Sequence, residues 1–542
     1  MKFFVLLSIF RMVVLPVQFE DRKLQGTHEE HEALLQQAEA YFERQFAPAG
    51  QAFSFELGPT VTLAHPVSWY GANYPDRKDI RLADAVREAC LAANGQVYFS
   101  LYDNDNDGSV DNVFLLFPGP GEHSSGDEGD IYPQQGRLTA DGTGLALDGR
   151  VADRYAVAPE GEPGVFCHEF CHVLGLPDLY DTDGAESGGL CPGLWGTSLL
   201  DDGCRLQDFP EFGAVEYDLL GLGRCEAARP GSYTLEPLAA GQRYLRAESD
   251  RKDEYFLFEA RAGGLYVYHI DRSDNPAGYS TRQQAELTAA DRWEVGEVNN
   301  NPAHPCARLI PADPAATDAS RLPFGAVSAS FGSDTPSAFR AWSGAATGLA
   351  LTGIRPAAAG AVTFDVIRPI VLAEPVAYQD AALVRWSVDP ALGPVQAFEV
   401  SWSDGTAGGS AELAAGTTSY TIEHLQPRTE YIFSVQVRCS ETERYTADGR
   451  FSTKLLRKGT FPYIYLGSAT RNLDGSFPAG SQIPLRVYNA SDVQNVRWTL
   501  DGRAITPDAD GFYTLRQSGV LRAQIEYADG TSETLLKEII VQ

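Results

Sequence analysis

Residues 168–178 read His-Glu-Phe-Cys-His-Val-Leu-Gly-Leu-Pro-Asp, and this segment is the most informative in the chain. Its first five residues match the pattern HExxH, which puts His168 and His172 on one face of a helix. Two imidazoles at this spacing can bind one zinc ion, and Glu169 then lies beside the open position of the metal. A glycine three residues after the second histidine is expected to end the helix, so that Asp178 can return as a third ligand. The segment therefore predicts a zinc site with His168, His172 and Asp178 as ligands.

The same residues indicate a type of reaction. A zinc ion with three protein ligands keeps a position for water and lowers the pKa of that water towards about 7. Glu169 can take a proton from the water and later give it to a leaving amine, as general base and then general acid. The sequence contains no GxSxG elbow or matching triad, so hydrolysis of a peptide bond by activated water is favoured over a covalent mechanism.

The stretch HEFCHVLGLPDLYD at 168–181 resembles the active site of the immune inhibitor A-type metallopeptidases, which are secreted zincins with a metzincin-like HExxHxxGxxD pattern. By this resemblance His168, His172 and Asp178 are the zinc ligands, and Glu169 is the catalytic acid–base. The resemblance covers about two thirds of the chain and extends to residues 12–21, 102–114, 263–271 and 307–313.

The chain departs from the metzincin pattern at one point. Metzincins have a methionine in a turn beneath the zinc, whereas the only methionines here are Met1 and Met12. The equivalent turn is predicted at Gly193–Gly203, with Leu199 or Leu200 in place of the methionine, and a leucine of similar volume is an acceptable replacement. The alternative to a secreted zinc endopeptidase is therefore a catalytically silent zincin scaffold that acts as a surface adhesion or binding protein.

A second metal site is predicted in the acidic segment 103–111. Acidic and hydroxyl side chains occupy the positions used by the first nine residues of an EF-hand loop, with glycine at position six. Position twelve is Phe114 rather than glutamate, which excludes a complete EF-hand. Four carboxylates in so short a segment repel one another, which favours a bound Ca²⁺ over the alternative of a solvated turn. The predicted calcium ligands are Asp103, Asp105, Asp107, Ser109 and Asp111.

The composition of the chain limits the classes of molecule that it can bind. The net charge of −30 leaves no basic stripe for nucleic acid and disfavours anionic membranes. No apolar run approaches the roughly 20 residues of a membrane span. Lys2 and the apolar residues 3–10 resemble a short export signal, although no small-residue cleavage site follows. We expect a secreted or cell-surface protein that acts on protein or peptide substrates.

Eight cysteines permit disulfides without forming a dense framework. Cys167 and Cys171 adjoin the zinc histidines, and we expect them to be packed or disulfide-bonded rather than to bind the metal. Cys191 and Cys204 bracket the predicted turn beneath the zinc. A disulfide between them is a hypothesis for how that turn is held without its methionine.

The chain is predicted to be multidomain. An α/β (α+β) zincin catalytic domain at 11–231 precedes a β-rich accessory lobe at 232–367, a fibronectin type III domain at 368–456 and an immunoglobulin-like β-sandwich at 461–542. The pattern Leu-x-Pro-x-Thr-x-Tyr at 425–431 is similar to the strand corner of fibronectin type III modules. These two sandwiches are expected to space the enzyme or attach it to surfaces, glycans or other proteins.

Local patterns predict individual elements of the catalytic domain. Apolar residues at helical spacing indicate helices at 28–46 and 82–93, and the zinc helix is predicted at 164–174. Strands are predicted at 12–21, 96–101 and 112–117.

Overall fold

The computed structural model describes residues 9–74, 77–261, 263–332, 334, 339–441, 443–454, 462–467, 469 and 471–542. Of the apolar N-terminal segment that resembles an export signal, only residues 9 and 10 lie in this part, where they begin the first strand. The chain forms two compact units. The first ends at Ile367 and the second begins at Arg368, apart from a short segment around residue 334 that belongs to the second.

The α-helices of the described residues all lie in the first unit, and none is long and apolar enough to cross a membrane. They are α1 (His28–Gln45), α2 (Val67–Tyr70), α3 (Leu82–Ala93), α4 (Glu122–Ser125), α5 (Pro163–Val173), α6 (Ala214–Leu220), α7 (Leu238–Gly241) and α8 (Ala289–Val295).

A mainly parallel sheet forms the centre of the N-terminal region. Its order is β2-β1-β5-β9-β6, in which only the edge strand β6 is antiparallel to its neighbour. A short three-stranded sheet, β4-β8-β7, lies beside the acidic segment. The strands are β1 (Ile9–Gln18), β2 (Ala52–Leu57), β3 (Val61–Thr62), β4 (Ser109–Val110), β5 (Val113–Phe117), β6 (Gln134–Arg137), β7 (Leu145–Leu147), β8 (Arg150–Ala152) and β9 (Arg154–Pro159).

Helices cover both faces of this sheet. Met12 and Val14 of β1 share a core with α1 and α5, whereas Val13 and Leu15 share a different core with α3. Successive side chains of a strand point to opposite faces, so β5 is apolar along its length and β1 is apolar from Met12 to Val17. The region has the mixed α/β architecture that its sequence predicts.

The rest of the first unit is rich in strands. One sheet has the order β10-β12-β13-β14-β17, and a second has the order β11-β19-β18. The strands are β10 (Arg224–Ala227), β11 (Gly231–Leu235), β12 (Arg243–Glu248), β13 (Glu254–Arg261), β14 (Gly264–Asp271), β15 (Pro276–Ser280), β16 (Ala285–Thr288), β17 (Ala307–Ile310), β18 (Ala350–Pro356) and β19 (Val362–Ile367).

The five-stranded sheet is a layer shared by two cores. Tyr255 and Leu257 of β13 belong to the core that contains Phe170 of helix α5. Phe256 and Phe258, which alternate with them, pack with residues of the β11-β19-β18 sheet. The β-rich region therefore shares one hydrophobic core with the helix of the predicted zinc site.

The second unit consists of strands. A four-stranded sheet of β20, β21, β22 and β25 and the sheet β24-β23-β26-β27 precede three smaller groups, β28-β30, β29-β33 and β32-β31-β34-β35. The strands are β20 (Ile370–Leu372), β21 (Val376–Ala377), β22 (Ala382–Val388), β23 (Ala397–Ser403), β24 (Gly408–Ala414), β25 (Ser419–Ile422), β26 (Glu430–Arg438), β27 (Arg444–Ser452), β28 (Tyr463–Tyr465), β29 (Gln482–Pro484), β30 (Arg486–Tyr488), β31 (Val493–Leu500), β32 (Arg503–Ile505), β33 (Phe512–Thr514), β34 (Gly519–Tyr527) and β35 (Ser532–Ile539).

The predicted corner motif of the first sandwich adopts its expected hydrogen bond. The backbone N–H of Gln426 donates to the Tyr431 hydroxyl oxygen at 3.0 Å. Tyr431 is the second residue of β26 and is buried, so this bond holds the preceding turn against its sheet.

One predicted strand is wrong. Residues 96–101 do not form a strand; the segment instead ends in a 3₁₀ helix at Phe99–Tyr102. Phe99 and Tyr102 are three residues apart and both buried, a spacing that suits a 3₁₀ turn. The Asp148 carboxylate also accepts the Phe99 N–H at 2.7 Å, a tertiary hydrogen bond that local residue types do not reveal.

Candidate metal centre

Helix α5 carries the HExxH residues directly behind the central sheet. It begins at Pro163, in the first turn where a proline ring suits the helix, and its residues 164–171 are buried. Gly164 lies where a Cβ would collide with the Cys204 carbonyl oxygen, so only glycine allows this approach. The helix therefore packs tightly against the segment in which the turn beneath the metal was predicted.

Three side-chain atoms converge at the end of α5. The Nε2 atoms of His168 and His172 lie 3.1 Å apart. Asp178 Oδ1 lies 3.1 Å from the first and 3.3 Å from the second. Gly175, with φ of 93°, ends the helix and allows the chain to return. These separations approach the roughly 3.3–3.4 Å between ligands of a tetrahedral zinc ion with bonds of about 2.0–2.1 Å.

Backbone carbonyls set the orientation of both imidazoles. His168 Nδ1 lies 2.8 Å from the Leu199 carbonyl oxygen, and His172 Nδ1 lies 2.8 Å from the Leu176 carbonyl oxygen. Because a carbonyl only accepts, each Nδ1 carries the proton and each Nε2 presents a lone pair. Two lone pairs and a carboxylate oxygen then face one another, an arrangement that needs a cation. The residues fit a zinc ion.

The electrostatics of the cluster agree with this geometry. Burial lowers the pKa of His168, but the hydrogen bond to Asp178 and nearby carboxylates raise that pKa well above its ordinary value. The pKa of His172 is also raised, chiefly by the Asp178 charge acting against burial. For Asp178, burial raises the pKa, but the charges of His172 and His168 lower it well below its usual range. The cluster favours a positive charge, whether a proton or a metal ion supplies it.

Glu169 lies beside these ligands. Its side chain is buried, and its Oε2 atom has no hydrogen-bond partner among the residues that the structure describes. Burial raises the pKa of Glu169, while the charges of the two histidines lower it. An unpaired carboxylate with a raised pKa is suited to accept and return a proton.

The turn at Gly193–Gly203 contacts the first histidine of the cluster. Leu199 and Leu200 are both fully buried, and it is the backbone carbonyl of Leu199 that contacts His168. The Asp201 carboxylate holds the turn by accepting the N–H groups of Leu194, Gly196 and Asp202 at 2.8–2.9 Å. Burial raises the pKa of Asp201 to about 6.

The hypothesis of a disulfide across this turn is wrong in the structure. All eight cysteines lie in the described part of the chain and are free thiols. Cys191 and Cys204 are not joined, and the turn between them is held by the hydrogen bonds to Asp201. Cys167 and Cys171 are fully buried in the core between α5 and its neighbours, where they act as packing residues.

An open cleft of about 690 Å³ gives access to the centre. His123, Tyr132 and Arg205 line it together with the three metal-site residues of α5. His123 Nε2 lies 3.0 Å from Oε2 of Glu162, and Glu162 is the residue that precedes α5. These wall residues come from separate elements and match no motif, so the sequence did not indicate them.

The acidic segment brings together three of its five predicted ligands. Carboxylate oxygens of Asp103, Asp105 and Asp107 lie within 4.8 Å of one another. Asp111 is outside this group and is directed to Asn104, whose backbone and side-chain nitrogens donate to Asp111 Oδ2 at 2.7 and 2.8 Å.

The carboxylates of this segment already have partners. Asp103 accepts the N–H groups of Asp107 and Gly108 at 3.0 and 3.1 Å, and it forms an ion pair with Arg150. Asp107 accepts the Ser109 N–H at 2.8 Å. Backbone groups and one guanidinium therefore compensate part of the negative charge that a Ca²⁺ ion would otherwise neutralise.

Comparisons with known proteins identify two regions. Residues 17–204 match the immune inhibitor A peptidase M6 catalytic domain, and residues 372–449 match the fibronectin type III domain. Immune inhibitor A of Bacillus thuringiensis subsp. alesti is 34% identical over 93 residues, a match that spans 15% of this chain and only 14% of that protein.

Two similar solved structures each cover a small part of the chain. An fn3 domain of the human collagen alpha-1(XX) chain is 28% identical, with 18% of this chain and 88% of that chain covered and a TM-score of 0.16. A myokine structure is 24% identical, with 16% and 92% covered and a TM-score of 0.14. Together with the site geometry, the family matches lead to one conclusion: the N-terminal part of the chain carries a metallopeptidase domain of the immune inhibitor A (M6) family, and the C-terminal part carries a fibronectin type III domain.

Proposed function

We propose that the protein is a secreted zinc-dependent endopeptidase with a zincin catalytic domain, in which His168, His172 and Asp178 hold the metal and Glu169 is the general base. The observation that carries this proposal is the convergence of two Nε2 lone pairs and a carboxylate oxygen within 3.3 Å. A cation removes the repulsion among these atoms, and nitrogen and oxygen donors in this number are those of catalytic zinc sites.

In this proposal each residue has a separate task. A zinc ion, when bound, supplies the Lewis acidity that activates water and polarises a carbonyl. Glu169 takes the proton of the attacking water at its unpaired Oε2 atom and delivers it to the leaving amine. The carbonyls of Leu199 and Leu176 keep the Nδ1 protons in place, so that both Nε2 atoms remain available to the metal. The open cleft admits an extended peptide.

A silent scaffold for adhesion is the second candidate, because the turn lacks the metzincin methionine. Two observations support the enzyme instead. Leu199 is fully buried, and its contact with His168 is made by a backbone carbonyl that any residue would supply. Glu169 is intact and lies beside the ligands.

We also propose that the acidic segment binds Ca²⁺ through Asp103, Asp105 and Asp107, with Ser109 and Asp111 in supporting roles. The support is the close approach of three carboxylates. The net charge of −30 and a fibronectin type III domain suit a protein exported to a calcium-containing medium. The C-terminal sandwiches, the second immunoglobulin-like, would then attach or space the enzyme.

The deciding experiment is cleavage of casein or gelatin by the purified chain, with and without a zinc chelator, with the metal content measured on the same sample. Chelator-sensitive cleavage with about one zinc per chain is expected. Bound zinc without cleavage of either substrate would support the scaffold, and a chain that binds no zinc would contradict the proposed enzyme.

A further inference from the structure

We propose that Arg261, Ser198 and Glu216 form a buried polar support that positions the metal ligand His168, so that the β-rich region is a functional part of the metal centre. The inference rests on the proposed zinc function. It concerns residues that do not contact the metal themselves and act through the turn beneath it.

The first part of the support holds the turn on both sides of Leu199. The Leu199 carbonyl accepts the His168 Nδ1 proton at 2.8 Å. Two residues earlier, the carbonyl of Thr197 accepts a hydrogen bond from Arg261 Nη1 at 2.6 Å. Ser198 Oγ donates to Glu216 and accepts the Leu200 N–H at 3.0 Å. The carbonyl that orients His168 is thus flanked by anchored residues.

The second part fixes the anchors themselves. Arg261 is the last residue of β13, and its Nη2 atom lies 3.3 Å from Glu259 Oε1. Glu259 also accepts the Tyr268 hydroxyl proton at 2.5 Å and the Ala214 N–H at 3.2 Å. These bonds connect β13 and β14 to the start of α6.

Glu216, on α6, completes the connection. It is 1% exposed, and its Oε2 atom accepts the Gly213 N–H at 2.9 Å. A Cβ at Gly213 would lie 2.7 Å from Arg261 Nη2, 3.1 Å from Glu259 Oε1 and 3.3 Å from Glu216 Oε2. Two carboxylates and one guanidinium therefore meet at a glycine that leaves room for them.

Stability alone does not account for such an arrangement. Buried ionic groups are often no more stabilising than well-packed apolar residues of the same volume, because removing them from water is costly. We infer that the ionic groups serve to fix the orientation of the backbone. They hold the Thr197–Leu200 backbone so that the Leu199 carbonyl points at His168, in a turn that lacks the methionine of related enzymes.

The loss of this support should weaken zinc binding. Groups that orient a metal-bound histidine through its second nitrogen typically affect metal affinity by about 10–100-fold. Arg261→Gln removes the charge that holds both Thr197 and Glu259, so its zinc affinity should fall within that range. The fold of the sheet should survive, because Arg261 is the terminal residue of its strand.

Arg243→Gln is the matched control. Arg243 lies in β12 of the same sheet, with a side chain 25% exposed compared with 21% for Arg261, and it pairs with Glu226 at 2.6 Å. Its loss should lower the melting temperature less than the loss of Arg261 does, because the side chain of Glu226 is 33% exposed and that of Glu259 only 1%. It should leave zinc affinity within about twofold of the original value.

The measurement is the zinc dissociation constant of each metal-free full-length chain, by competition with a chromophoric chelator, with melting temperatures recorded in parallel. Ser198→Ala removes a single hydroxyl and decides the question if Arg261→Gln does not fold. It should also weaken zinc binding, whereas the Arg243 variant should not. Unchanged zinc affinity in the folded Arg261 or Ser198 variant would overturn this inference alone. A wild-type chain that binds no zinc would overturn the proposed function as well.

Discussion

The metal centre on α5 and the acidic segment 103–111 are both clusters of metal-ligating side chains, but their charges are compensated differently. At the metal centre, backbone carbonyls hold the Nδ1 atoms of His168 and His172, and the two Nε2 atoms face each other 3.1 Å apart. In the acidic segment, backbone N–H groups and Arg150 already contact the carboxylates.

This difference separates a site that requires a cation from one that tolerates its absence. Buried lone pairs without partners are costly, so the metal centre must bind a proton or a metal ion. Carboxylates that accept backbone N–H groups are already stabilised, so the binding of a calcium ion there would release less free energy. The ion must also compete with the guanidinium of Arg150. Four experiments test the comparison.

The largest effect is expected at Glu169. Glu169→Gln keeps the size of the side chain and removes the base, so turnover of casein should fall by about 10²–10⁴-fold while one zinc remains bound. Glu29 is exposed and lies on α1, far from Glu169 in sequence. It provides the control variant Glu29→Gln, which should retain full activity. Turnover near that of the wild type in Glu169→Gln would remove this residue as the base.

The next largest effect is expected when one proposed ligand is removed from each cluster and zinc binding is compared. His172→Ala removes a proposed zinc ligand and should weaken zinc affinity by more than about 100-fold, beyond the usual effect of residues around the ligands. Asp103→Ala removes a central carboxylate of the acidic segment and should leave zinc affinity unchanged. Both are measured by chelator competition, and equal losses of zinc in the two variants would contradict the assignment of zinc to α5.

The pH dependence of zinc binding should follow from the raised pKa values of His168 and His172. The pKa of these histidines is higher in the folded state than the value of about 6.5 in the unfolded state. Protonation therefore stabilises the metal-free fold, and this stabilisation is complete below about pH 6.5. This stability is lost as the pH rises through the folded pKa. Zinc replaces the proton, so the increase in melting temperature on adding zinc should be larger at about pH 8 than at about pH 6. An increase that is larger at the lower pH would contradict the proposed ligands.

The smallest effect is expected at the acidic segment. Calcium at about 100 times its dissociation constant would stabilise the fold by about 2.7 kcal/mol, seen as a higher melting temperature. Arg150→Gln removes the competing guanidinium and should make that increase larger, whereas Asp105→Asn should make it smaller. If calcium leaves the melting temperature of the wild type and the Arg150 variant unchanged, the segment is a solvated turn closed by its own hydrogen bonds.

Much of the local structure was predictable because it depends on residues close in sequence. Helices α1, α3 and α5 begin and end within a residue of their predicted bounds, since apolar spacing and helix-ending signals are local. The predicted strand at 96–101 was wrong because a carboxylate from Asp148 and the burial of two aromatic residues, both tertiary effects, decided its conformation.

By itself, the sequence determined the composition of the metal centre: the HExxH spacing, the helix end at Gly175 and the return of Asp178 are properties of one short segment. It also indicated the family and the fibronectin type III corner at Tyr431. Tertiary structure alone decided which carbonyl orients each imidazole, that the turn beneath the metal is closed by Asp201 rather than by a disulfide, and that Arg261 of a distant strand supports it. The reason is physical: every residue offers the same backbone carbonyl, so only packing determines which one meets a given histidine.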